Sequence, residues 1–94
     1  MYAMITEIVM DPERLDDVRE FLRESREPMV RVQEGFIRGV WLHSLGQPTG
    51  CGVMLFDSEA DAVASAARAR AQEHPPDAPL RLARVEVFEV IAEA

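Results

Sequence analysis

Trp41 and His43 are the residues of this chain best placed to do chemistry. They stand two apart in the stretch Gly35-Phe36-Ile37-Arg38-Gly39-Val40-Trp41-Leu42-His43, and Trp41 is the only tryptophan. In a strand, residues two apart project to the same face. Together, the indole can stack on a flat aromatic molecule and the imidazole can remove a phenolic proton from it. That makes Trp41 a candidate ligand platform and His43 a candidate general base. The plainer reading is that Trp41 is sheet-packing mass and His43 sits at the solvent end of the strand. Glu7 and Glu89 are candidate ligand-binding carboxylates, because they interrupt otherwise apolar faces of the first and last strands. Pairing with Arg38 or Arg84 would make them structural instead.

Other chemistries find little support. His43, Cys51 and His74 have no metal-ligand spacing, so no metal site is expected. His74 precedes Pro75-Pro76 at a predicted helix C-terminus, where the dipole favours a cation. Cys51 beside a turn reads as an inert small hydrophobe. There is no glycine-rich phosphate loop and no nucleophile elbow.

The elements that must position these residues follow from pattern. Tyr2–Met10 is a strand with Ala3, Ile5 and Val9 on one side and Met4, Ile8 and Met10 on the other. Both sides are mostly apolar, so it should be covered on both. Asp11-Pro12-Glu13 opens a helix as N-cap, first-turn proline and dipole-matched acid. Its buried stripe is Leu15, Val18, Leu22, Ser25, Met29 and Val32, with a kink expected near Glu27 because Pro28 follows. Gly35 is a plausible left-handed cap. A strand runs from Phe36 to about Leu45, a Gly/Pro turn follows, and Cys51–Phe56 pairs back as a hairpin. Ser58 caps an Ala-rich helix whose inner face is read as Ala60, Val63, Ala64, Ala67 and Ala71. Leu80–Ile91 is the last strand, again two-faced. The order is βαββαβ, an α+β ferredoxin-like domain with two helices on one face of a four-stranded antiparallel sheet.

The chain has 94 residues, which suits one domain over 1–94. A domain this size buries only about 60–65% of its unfolded surface and is marginal alone. The bare sheet face and this marginal size together predict a homodimer packed sheet to sheet. The formal charge is −7, with 17 acidic and 10 basic residues spread along the chain, which argues against nucleic acid. No apolar run approaches the ~20 residues of a membrane span. The start lacks the features of a signal peptide, so a cytoplasmic location is expected.

Several soft motifs recur in order: Asp11-Pro12-Glu13, Pro28, Glu34-Gly35-Phe36, Leu55-Phe56-Asp57-Ser58-Glu59-Ala60 and Val87-Phe88-Glu89-Val90. Their succession resembles the dimeric α/β-barrel proteins, in particular the stand-alone antibiotic biosynthesis monooxygenase-like domains. The resemblance implies a homodimer with an internal cavity. Characterised members oxidise aromatic polyketides or quinols with O₂, some without metal or flavin, and others degrade haem. Phe56 stands where members often carry Trp, which makes it a further ligand-binding candidate. The haem-degrading branch uses an Asn, a Trp and a His. This chain has no Asn, so that branch is disfavoured. The expectation is a small monooxygenase-like protein acting on an apolar aromatic molecule in the barrel cavity, without a bound cofactor. The alternative is a non-catalytic ligand-binding or sensing homodimer, with a structural or interaction module third.

Overall fold

Strand β1 (Tyr2–Met10) lies inside the sheet, hydrogen-bonded on both edges in the computed structural model, which describes all 94 residues. Its neighbours are β3 (Thr49–Phe56) and β4 (Leu80–Glu89), and β2 (Phe36–His43) pairs with β3. The sheet order is β2-β3-β1-β4 and every pairing is antiparallel. This is the ferredoxin-like α+β arrangement expected from the pattern. The strand ends differ slightly. β2 stops at His43 rather than Leu45, because Ser44 N–H turns to Thr49 C=O at 3.0 Å and Gln47 N–H to Ser44 C=O at 3.0 Å.

The two faces of the sheet have different fates. Met4, Ile8, Met10, Met54, Phe56 and Leu80 are buried under the helices. Ile5, Val9, Val53, Leu55, Val40, Leu42 and Phe88 lie on the other face, and Val40 and Leu42 are half exposed. A register shift between Phe36 and Arg38 explains how β2 is divided. The extra residue lets Phe36 and Trp41 share the helix side despite their odd spacing. Phe36 meets Phe56 edge to face, centroids 5.8 Å apart. Of Phe36, Val40 and Leu42, only Phe36 turns toward the helices.

The first helix comes in pieces. Asp11 accepts from Glu13 N–H at 2.9 Å and starts a short 3₁₀ turn, Pro12–Arg14. Helix α1 (Leu15–Phe21) runs into a π turn, Leu22–Arg26, and then α2 (Glu27–Arg31). Pro28 has no N–H and its ring crowds the carbonyl four residues back. The helix answers by widening rather than by breaking: Glu27 N–H bonds the carbonyl of Leu22, five residues earlier. One extra residue in the turn rotates the buried stripe. Val30 is buried, while Val32, expected inside, is 82% exposed.

Helix α3 (Glu59–Ala71) is capped by Ser58, whose hydroxyl accepts from Asp61 N–H at 3.1 Å. It buries Ala62, Ser65 and Ala66, not the face predicted. Alanine occurs on nearly every side of this helix, so no apolar stripe marks the inner one. Gly35 has φ +75° and passes close to the Asp61 side chain, where a Cβ would collide.

Phe56 is completely buried. Phe56→Ala is expected to cost about 3–5 kcal/mol of unfolding free energy, measured by urea denaturation followed by circular dichroism.

Candidate functional site

A cavity of about 80 Å³ lies between the helices and the sheet. Met4, Ile8, Met54, Leu80 and Leu82 form its apolar floor from the strands, and Leu22, Met29 and Val30 close it from above. Trp41 lines it as well. Its strand partner is Gly52, and a Cβ at Gly52 would sit 3.0 Å from the indole and 2.7 Å from Thr6 Oγ1. The missing side chain lets the indole lie across β3. Thr6, buried beneath, accepts from Gly52 N–H at 3.0 Å, so its hydroxyl is already engaged.

The sequence reading put Trp41 and His43 together in a cavity between two sheets. They share a face by register, but that face looks toward the helices of the same chain. Two residues of strand carry His43 about 7 Å farther along, beyond the cavity and into the hairpin turn. There a ring nitrogen lies 2.8 Å from Gln47 C=O. Glu7 is exposed on the open face, 4.0 Å from Arg84, which also pairs with Glu86. Glu89 is exposed at the far end of β4, opposite Tyr2. Phe56 belongs to the core and does not line the cavity. Of the residues singled out for the site, the structure brings only Trp41 to the cavity.

The polar groups at the cavity are ones the sequence did not assign to a site, His74 being expected only as a helix-terminal cation. Arg26, Arg68, Gln33, Gln72, Thr6, Ser65 and His74 face it. Arg26 is carried inward by the π turn, with its Cζ 4.8 Å above the Phe21 ring. His74 stacks near the same ring, centroids 6.4 Å apart and planes 25° apart. Burial lowers the Arg26 pKa. Burial, and then the nearby Arg26 charge, lower that of His74. His74 is thus held as a neutral imidazole, not as the helix-terminal cation expected. The helix ends at Ala71, and the loop carries His74 away from its dipole. Arg26 Nη2 and Gln33 Oε1 are buried without a hydrogen-bond partner. The only signal for Arg26 in the sequence is its place four residues after Leu22 and two before Pro28, beside the stripe.

No protein-family model and no curated protein matches the chain. Solved structures do. The haem-degrader MhuD from Mycobacterium tuberculosis, with two haems bound in its active site, is similar at 17% identity and a TM-score of 0.72, covering 100% of this chain and 99% of that one. A variant of MhuD with two manganese protoporphyrin IX per active site gives 18% identity, a TM-score of 0.70 and coverage of 100% and 98%. A haem-free, cleaved form gives 19%, 0.57, and 100% and 99%. The chain shares the fold of these structures, a four-stranded antiparallel sheet with its helices on one face. In this fold the helix–sheet cavity and the open sheet face are separate surfaces of the chain.

The lowered His74 pKa has a sign that can be tested. The unfolded chain takes up a proton on His74 near pH 6.5, the folded chain only at lower pH. His74 therefore lowers stability progressively as pH falls from about 6.5 toward its folded pKa, and has no effect well above 6.5. Two-dimensional NMR should show the His74 ring titrating below the usual histidine range, and Arg26→Ala should move it back up.

Proposed function

We propose that this chain is a monooxygenase-like protein that binds haem, or a closely similar planar metalloporphyrin, in the helix–sheet cavity of a homodimer. One observation carries the reading: a neutral imidazole and an unpartnered guanidinium nitrogen face the same apolar cavity. A neutral imidazole is the form that iron accepts. A guanidinium is matched to carboxylates such as the porphyrin propionates. The Met, Leu and Ile side chains suit the ring itself, and Trp41 offers an aromatic face. Bound haem would supply a redox-active iron for oxidation by O₂. His74 would hold that iron, Arg26 and Arg68 would orient the carboxylates, and the apolar walls would keep water away. The fold shared with MhuD, whose structures hold haem or manganese protoporphyrin, supports the reading. This reading departs from the sequence expectation of an apolar aromatic molecule bound without cofactor or metal, outside the haem-degrading branch, and puts His74 rather than His43 at the ligand.

A second reading, ligand holding without turnover, is favoured by the side-chain inventory. The chain has no Asn, the Thr6 hydroxyl is committed to Gly52, and the amides facing the cavity are those of Gln33 and Gln72.

Hemin titration followed in the Soret band tests the binding. The protein should give a saturable shift at one site class, and His74→Ala should change the band position and weaken binding. Arg26→Ala should weaken it by about 1.5–3 kcal/mol, the worth of a charged hydrogen bond. Ascorbate in air separates the two readings: loss of the Soret band means oxidation, and a stable band means holding.

The dimer rests on the open sheet face. Ile5, Val9, Val40, Leu42, Val53, Leu55 and Phe88 are apolar there, and Arg38, Arg81, Arg84, Glu7 and Glu86 supply both signs of charge. A second copy covering this face should bury on the order of 2,000 Å² or more. Light scattering should return twice the 10.6 kDa chain mass at micromolar concentration. A stable monomer would remove the homodimer from the proposal.

A further inference from the structure

The cavity of about 80 Å³ is far smaller than the ~300–1,000 Å³ of ordinary ligand pockets, so it must widen before a ligand as large as a porphyrin fits. We propose that α2, Glu27–Arg31, is the lid of this cavity, hinged on the π turn Leu22–Arg26. For the kind of ligand that enters, this rests on the preceding reading; for the motion itself, it does not.

The attachments of α2 are few. Its only buried residue is Val30, whereas α1 is fixed by Val18, 3% exposed, in a separate cluster with Ile8, Met10 and Leu80. The two halves of the helix thus belong to different parts of the core. Between them, the widened turn and the missing N–H of Pro28 thin the hydrogen bonding that would make one rigid rod. Across the cavity mouth, α2 is tied to the segment after α3 by Gln72 Nε2 donating to Met29 Sδ at 3.3 Å, and a thioether is a weak acceptor. Beyond α2 the chain is anchored again, with Asp57 N–H on Gly35 C=O at 2.9 Å.

The closed position also leaves polar groups unpaired. Arg26 Nη2 lies just before α2 and Gln33 Oε1 just after it, both buried without partners. Closure keeps both from water, and opening returns them to water or to a ligand. An empty closed cavity is therefore held less firmly than its apolar walls alone suggest.

The test introduces Met29→Cys and Gln72→Cys in a Cys51→Ser background, bridged by a short bis-methanethiosulfonate reagent that dithiothreitol removes. Hydrogen exchange read by mass spectrometry needs no ligand. The peptide over Glu27–Gln33 should exchange about tenfold or more faster than that over α1, and the bridge should slow it. Pro28→Ala, which restores an N–H, should slow it without any bridge. Stopped-flow mixing with hemin should show association slowed about tenfold by the bridge and restored by reduction. The lid is overturned if α2 exchanges as slowly as α1, or if bridging leaves α2 exchange unchanged. If no form takes up hemin, the haem reading fails, while the exchange measurements still decide the lid.

Discussion

A sheet with two apolar faces needs two covers, and this chain has helix enough for one. β1, paired on both edges, shows the imbalance directly. Met4, Ile8 and Met10 go under the helices, while Ile5 and Val9 face outward beside Glu7. Burial at about 25 cal/mol per Å² of apolar surface makes the helix-side core the main source of the chain's own stability. It also sets the cavity's position, because the helical layer does not fill the space over Thr6, Met54 and Leu82. The cavity lies where α2 and α3 both approach the sheet. α3 contributes Ser65, Arg68 and Ala69, and α2 contributes Met29 and Val30.

The π turn connects this packing to chemistry. A continuous α-helix through residues 15–31 would keep the stripe in phase to Val32. The wider turn brings Arg26 and Val30 in and turns Val32 out. A guanidinium thus comes to share the Phe21 ring with His74, whose pKa is lowered first by burial and then by that charge. π turns often accompany functional sites, because an inserted residue can re-aim a side chain without dismantling the helix.

Much of the fold was legible in the sequence because it depends on local rules. Asp11-Pro12, Ser58, Gly35 and the Gly/Pro turn all act where their types predict, and alternation locates the strands. The site was harder to read, for identifiable physical reasons. Trp41 was found, but on which side of the sheet it lay depended on an inserted residue in β2 that no periodicity reveals. Arg26 and His74 belong to segments far apart in sequence and meet only over Phe21. The inner face of α3 could not be chosen because its alanines have no preferred side. His43 satisfied the pattern for a catalytic base, yet the turn that closes the hairpin takes its ring for Gln47.

The inserted residue in β2 has another effect. β2 is an edge strand, with Val40 and Leu42 half exposed and a row of main-chain donors and acceptors on its free side. Such an edge invites another strand to zip along it. The unmatched Ile37 breaks that row near its start and bends the strand, so an incoming chain can register along only part of it. Deleting Ile37 would leave Phe36 and the tryptophan on their present side, because their spacing would become even. The core would keep its aromatic pair, but the edge would become a straight apolar template. The residue therefore does little for packing inside the molecule and much for keeping separate molecules from joining edge to edge.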